Sequence, residues 1–241
     1  MRYVGGKTLI AGWVRDHIMA VADQYRGMSL TYVEPFVGSG AVLVRVAPRF
    51  VGKIVANDIH PDLIRMWHAV TYEGWEPPGW MSETEYKELR NSGVSTPLRG
   101  FAGFCFSFGG KWMSGFERRA SAQRSEQVSV LRRASIFRRY GVEWKNTDFA
   151  DLVIPPQSIV YCDPPYINTG EDCYAERFFN HVRFWSVMDS WVAQGAIVFV
   201  SEYSGPSHWP VIDEYTRPSV LGASTGQLGD MRVEKLYMRR L

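Results

Sequence analysis

Cysteine is scarce in this chain: Cys105, Cys162 and Cys173 are the only three among 241 residues. They form no Cys-x-x-Cys zinc pair and are too few for a disulfide framework, so they read as free thiols. Histidine is equally thin. None of His17, His60, His68, His181 and His208 stands at a paired metal-ligand spacing, so each reads as a surface or helix residue and no metal is expected. No apolar run approaches the ~20 residues that cross a bilayer, and the opening residues lack the basic-then-apolar build of a secretory leader. A cytoplasmic protein without membrane contact is the expectation. Internal repeats and low-complexity tracts are also missing.

The composition that is present, 46% hydrophobic, 14% aromatic and 22% charged, is that of an ordinary globule with a large core. A mass of 27.5 kDa is long for one compact α/β domain and short for two, so one domain with an inserted lobe is expected. The net charge of +2 conceals an uneven distribution. Residues 111–140 hold Lys111, Arg118, Arg119, Arg124, Arg132, Arg133, Arg138 and Arg139 against only Glu117 and Glu126, a local excess of +6 on a remainder of −4. A slightly acidic body with a basic insert points to a polyanion gripped by one lobe.

Apolar periodicity predicts a helix over 8–25, entered through a Gly-Gly turn. A buried strand at 30–33, a glycine loop at 34–40 and a helix over 41–47 follow, the last stopped by Pro48. A second strand at 53–57 and a helix opened by Pro61 and running to 72 complete a βαβα unit. The alternation breaks at Glu76-Pro77-Pro78-Gly79, and Ser82 with Glu85 resembles a capping box. There the insert begins; it carries an aromatic and glycine stretch at 101–116 and an arginine-rich helix ending near Tyr140. Strands return at 142–144 and 158–162, then a helix over 181–193, a buried strand at 196–200 and an alternating edge strand at 233–237. Residues 222–229 read as a mobile loop. Strands interleaved with helices imply a Rossmann-like, doubly wound, mostly parallel sheet, with 1–72 and 142–241 as its body and 73–141 as a mainly helical insert.

Two constellations carry the chemistry. Gly38-Ser39-Gly40 after a strand allows close backbone approach, and Asp58 at the end of the next strand can accept hydrogen bonds from ribose hydroxyls. The full dinucleotide fingerprint wants a third glycine where Leu43 stands, which disfavours a pyrophosphate cofactor. Asp163-Pro164-Pro165-Tyr166 directly follows an apolar strand, which sets a carboxylate, a rigid backbone and an aromatic ring where ligands of doubly wound sheets sit. Gly6-Lys7-Thr8 and Phe108-Gly109-Gly110-Lys111 only imitate a phosphate loop, since Met1 and Cys105 stand where its first glycine belongs.

Tyr3-Val4-Gly5-Gly6-Lys7, Glu34-Pro35-Phe36-Val37-Gly38-Ser39-Gly40, Asn57-Asp58 and Asp163-Pro164-Pro165-Tyr166, in this order and with an insert before the last, resemble the Dam-type (D12 class) DNA adenine-N6 methyltransferases. The resemblance implies S-adenosyl-L-methionine as cofactor, held by Tyr3, Lys7, Glu34, Phe36, Gly38, Gly40, Asp58 and Asp163, with Asp148 and Phe149 at its adenine. It implies that Asp163, Pro164, Pro165 and Tyr166 hold a flipped adenine, with the Tyr166 ring as a stacking face. It makes the insert a target-recognition lobe in which Lys111, Arg118, Arg119, Arg124, Arg132 and Arg133 contact duplex DNA. A bacterial or phage-infected cytoplasm, a companion restriction endonuclease and a monomer or weak dimer are compatible with the family.

Three alternatives stay open at the level of sequence. Cytosine-N4 transfer presents the same amine chemistry, a catalytically inactive nucleic-acid-binding protein could keep the fold, and a nicotinamide dehydrogenase would share the glycine loop. Cytosine-C5 methylation is disfavoured, because it needs a nucleophilic cysteine after a proline and none of the three follows one.

Overall fold

The computed structural model describes residues 1–3, 5–166, 179–218 and 231–241. Seven strands form one sheet: β1 (Leu30–Glu34), β2 (Gly52–Asn57), β3 (Glu143–Lys145), β4 (Ser158–Cys162), β5 (Ile197–Glu202), β6 (Val211–Pro218) and β7 (Met231–Arg239), ordered β3-β2-β1-β4-β5-β7-β6. Only β7 runs against its neighbours; it pairs antiparallel with both β5 and β6. The expected doubly wound sheet is therefore present. The expectation for the last strand needs correction: β7 lies inside the sheet and β6 forms the edge. Sequence reading missed β6 because its alternation is broken by a bulge between Val211 and Asp213.

Strand alternation divides the core in two. Tyr32, Ile54, Ala56, Ile159, Tyr161, Ile197 and Phe199 face one cluster, and Val33, Val55, Val160, Cys162, Val198 and Val200 face the other. The first face is covered by α1 (Ala11–Ala22), α2 (Leu43–Val46) and α3 (Pro61–Tyr72); the second receives α7 (His181–Ala193). Pro61 occupies the first turn of α3, where its missing N–H costs nothing. Asn180 caps α7 by accepting from the Arg183 amide at 2.9 Å.

The segment 73–141 contributes α4 (Glu83–Ser92), α5 (Pro97–Cys105) and α6 (Ala120–Arg139). The capping box at Ser82 forms as its residues suggest, with reciprocal bonds to Glu85. These helices add to the first core: Phe101, Phe104, Val130 and Phe137 are buried in the same cluster as α3. At Gly100 a Cβ would lie 2.1 Å from the Asp62 carbonyl, so glycine lets α5 press directly on α3. Cys105 and Cys162 are buried free thiols, whereas Cys173 and the 222–229 loop lie outside the described residues. Among the described residues no helix is long and apolar enough to cross a membrane, and no group of three or more His, Cys, Asp or Glu could hold a metal ion.

Candidate active site

The strand order reverses at β1, whose neighbours are β2 and β4, so a crevice opens at their carboxyl ends. The glycine loop after β1 enters it. Gly38 and Gly40 have φ of +48° and +67°, in the left-handed region. A Cβ at Gly38 would lie 2.9 Å from the Tyr3 ring, and one at Gly40 would lie 2.7 Å from the ring of Phe137 on α6. Gly38 thus lines the cavity, while the missing side chain at Gly40 makes room for a core ring.

Asp58, at the end of β2, fastens this loop. Its carboxylate accepts from the Gly38 amide at 3.0 Å and from the His60 amide at 3.0 Å. The Trp67 indole donates to the Gly38 carbonyl at 3.1 Å, and the Arg133 guanidinium donates to the Ser39 carbonyl. Arg133 therefore lies inward against the loop, with burial lowering its pKa. The sequence reading assigned it to DNA, and its neighbours on the buried face of α6, Val130, Ala134 and Phe137, explain the difference.

The cavity is lined by Tyr3, Lys7, Glu34, Phe36, Gly38, Asp58, Asp148, Phe149, Asp163, Pro164 and Pro165. All of these are residues that the sequence reading singled out; His60, Phe179, Asn180 and Arg183, which it did not assign to the site, line the cavity as well. An aromatic wall stands on one side, with the Phe36 ring 5.3 Å from Phe149 and 5.9 Å from Phe179. Asp148 is held by Arg183 from α7 through two 3.0 Å contacts. His60, read as a surface or helix residue, stands at the start of α3, lines the cavity and packs 4.2 Å from the Trp112 ring. Burial pushes its imidazole down to about 4, which makes it neutral at ordinary pH.

At the end of β4, Lys7 is a buried cation between two carboxylates. Its Nζ lies 2.7 Å from Asp163 Oδ1 and 3.4 Å from Glu234 Oε1. Burial alone would lower the lysine, but Asp163 and Glu234 outweigh it and hold Lys7 above its ordinary range. Burial pushes Asp163 up to about 6, with Lys7 opposing. Glu34 is pushed up to about 8 by burial and accepts from the Tyr32 hydroxyl at 2.7 Å.

Tyr166 is placed differently from the expected open stacking face. The residue is buried, its hydroxyl donates to Glu234 at 2.5 Å, the Lys7 ammonium sits 4.3 Å over its ring, and Tyr203 packs edge-on at 4.7 Å. The Lys7 ammonium thus covers one face of the ring. Glu234, Arg183, Phe179 and His60 escaped sequence reading because no motif contains them. The only available signal for Glu234 was an acid at an inward position of an alternating strand.

The remaining basic residues of the insert divide into engaged and free. Arg118 pairs with Glu83 at 3.0 Å and Arg119 with Glu117 at 2.7 Å. Arg124 and Arg132 are exposed on α6, and Lys111 is half-buried; among the described residues none of the three has an ion-pair partner.

Residues 3–92 match the model of a family described as the D12 class N6 adenine-specific DNA methyltransferases. Among solved structures, a Listeria monocytogenes protein described as a class I S-adenosylmethionine-dependent methyltransferase has a TM-score of 0.45 at 11% identity, with 95% of this chain and 59% of that one covered. An Escherichia coli protein described as a methyltransferase gives 0.39 at 13% identity, covering 94% of this chain and 84% of that one. An RNA methyltransferase from Salinibacter ruber, in complex with S-adenosyl-L-homocysteine, gives 0.39 at 11% identity, with 93% and 88% covered. No curated protein matches the chain.

Proposed function

We propose that this protein is an S-adenosylmethionine-dependent methyltransferase that acts on duplex DNA, and that it methylates N6 of an adenine swung out of the helix. The observation that carries the reading is the entry of Asp163, Pro164 and Pro165, from the carboxyl end of β4, into one cavity with the glycine loop and Asp58. The family description over residues 3–92 supports DNA and adenine as the substrate.

The cavity suits the cofactor chemically. Phe36, Phe149 and Phe179 offer flat apolar contact for a purine. The Asp58 carboxylate lines the cavity at the end of β2, where it can accept a ribose hydroxyl. Gly38 gives the close backbone approach, where a side chain would strike Tyr3. When bound, the cofactor supplies an electrophilic methyl group on a sulfonium.

The protein's own task is to make a poor nucleophile reactive. The N6 lone pair is delocalised into the adenine ring, so acceptors must draw the amine hydrogens out of plane. Asp163 is such an acceptor, and Pro164, lacking an N–H, presents only its carbonyl. Both favour the positive charge that develops on nitrogen as the new bond forms. Lys7 fixes Asp163 in position at 2.7 Å. No cysteine nucleophile is needed, consistent with the burial of Cys105 and Cys162. Residues 73–141 serve as the target-recognition lobe, with Arg124 and Arg132 as phosphate contacts.

The test is incubation of unmethylated genomic DNA with protein and cofactor, followed by base-resolution mapping. N6-methyladenine at one recurring sequence is expected. Methylation at cytosine N4, or none, refutes the reading. In single-turnover assays Asp163→Ala should lose about 10²–10³ in rate while retaining DNA binding.

A further inference from the structure

The aromatic wall of the cavity adjoins a carboxylate whose position is set by a residue outside every recognisable motif. We propose that Arg183 is a positioning residue: it clamps Asp148 beside that wall, so that the cavity selects a ligand base carrying an exocyclic amine over one carrying a carbonyl in its place. The inference rests on the reading of the cavity as the cofactor site and adds to it the device that reads the cofactor's base.

Polarity divides the cavity. Lys7 and Asp163 gather charge at the end of β4, whereas Phe36, Phe149 and Phe179 form the wall against which a flat base fits. Asp148, the residue before Phe149, lines the same cavity. Three donors hold it. The two terminal nitrogens of Arg183 reach one oxygen each at 3.0 Å, a bidentate fork, and the Ala150 amide donates to Oδ1 at 2.8 Å. The same guanidinium lies 5.2 Å from the centre of the Phe149 ring, which brings clamp and wall together. Among the described residues Oδ2 has one donor, so it keeps acceptor capacity for a ligand.

The helix that carries Arg183 does not explain its presence. It stands in the first turn of α7, with its amide capped by Asn180, and a cation there opposes the helix dipole. With Arg183 47% exposed and Asp148 27%, the attraction between them contributes little by itself. What the fork provides is geometry, since a planar guanidinium fixes both carboxylate oxygens at once. A clamped Oδ2 accepts from the exocyclic amine of adenine, but meets the carbonyl oxygen of hypoxanthine as acceptor against acceptor. An unclamped carboxylate can swing to the neighbouring N1 proton of hypoxanthine and lose the distinction.

The test is calorimetric titration of the full chain with S-adenosyl-L-homocysteine and with S-inosyl-L-homocysteine, which has hypoxanthine in place of adenine. The wild type should prefer the adenine ligand by roughly ten- to 150-fold, the range of one hydrogen bond to a charged group. In Arg183→Ala that preference should fall about three- to tenfold, as an unsupported contact loosens. Arg183→Lys, which keeps the charge but not the fork, should lose a smaller, measurable part. Asp148→Asn should abolish the preference, because a turned amide donates to the carbonyl as readily as it accepts from the amine. Equal weakening of both ligands in Arg183→Ala, with the preference intact, would mean that Arg183 only ties α7 in place, and overturns the inference. A wild type that binds the two ligands equally overturns it too, as does Asp148→Asn with the wild-type preference. If Arg183→Ala fails to fold, Arg183→Lys decides, and an undiminished preference there overturns the inference. Failure of the wild type to bind either ligand would instead strike the cofactor reading itself.

Discussion

Removal of the Asp58 carboxylate should have two separable effects, because that group both builds the glycine loop and faces the cavity. Its oxygens accept from the Gly38 and His60 amides at 3.0 Å each, and the residue is 8% exposed. Asp58→Ala leaves two backbone donors without acceptors. A hydrogen bond to a charged group contributes about 1.5–3 kcal/mol, and partial access of water from the cavity reduces the sum, so a loss of about 2–4 kcal/mol is expected. Against a typical stability of about 5–15 kcal/mol the variant should remain folded with a clearly lower urea midpoint. The second effect is loss of a ribose acceptor, which should weaken cofactor binding by about 1–3 kcal/mol, roughly five- to 150-fold. Asp58→Asn should do nearly as badly, since one acceptor becomes a donor facing an N–H. Urea denaturation reads the first effect and calorimetry without denaturant the second. A wild-type midpoint in Asp58→Ala refutes the loop-anchoring argument, and wild-type affinity refutes the ribose contact.

Gly40→Ala should destabilise the protein by about 2–4 kcal/mol, since it combines positive φ with a clash against Phe137. Addition of Phe137→Leu should recover part of that loss in thermal unfolding, and strictly additive losses would sink the packing explanation. Glu34, raised to about 8 by burial, retains a proton that the unfolded chain releases. Stability should therefore fall as pH rises from about 5 to 8, by roughly 1.4 kcal/mol per unit, and Asp163 adds in the same direction below about 6. Denaturant titrations at several pH values should show a shallower fall in Glu34→Gln; an unchanged slope refutes the assignment. Neutralising Arg124 together with Arg132 should flatten the salt dependence of DNA binding by up to roughly two counterions. Arg133→Ala should lower thermal stability and leave that salt slope intact.

The parts of this molecule that announce themselves in sequence are those with local causes. Pro61 opens α3, Ser82 and Glu85 box the start of α4, and the run from Ser158 to Cys162 is wholly buried as β4. The cavity-lining motifs share that property, since a glycine loop after a strand or an acid at a strand end is defined within a few residues. What stayed hidden depends on partners distant in sequence. Arg132 and Arg133 are neighbours in one basic run, yet one helical step separates solvent from the Ser39 carbonyl. The stripe of Val130, Ala134 and Phe137 carried that information, but a count of charges does not read it. Glu234 had no signature beyond its inward place in an alternating strand, because its position in the site arises from the strand order that brings β7 beside β5. Tyr166 was assigned an open face by its motif, and only packing shows the Lys7 ammonium above it.

The insertion of β7 between β5 and β6 has a consequence for how the protein is made. Every recognisable motif has been synthesised by the time β4 leaves the ribosome, but the partner shared by Lys7 and Tyr166 has not. Until β7 arrives, Lys7 has one carboxylate instead of two, and β5 presents an unpaired strand edge. The nascent chain must therefore pass through a stage in which its signature residues are complete and its charged cluster is not. Closure waits on pairing between segments far apart in sequence, which are the slowest contacts to form. A fragment ending at Glu202 would carry the whole signature and be prone to associate through that open edge.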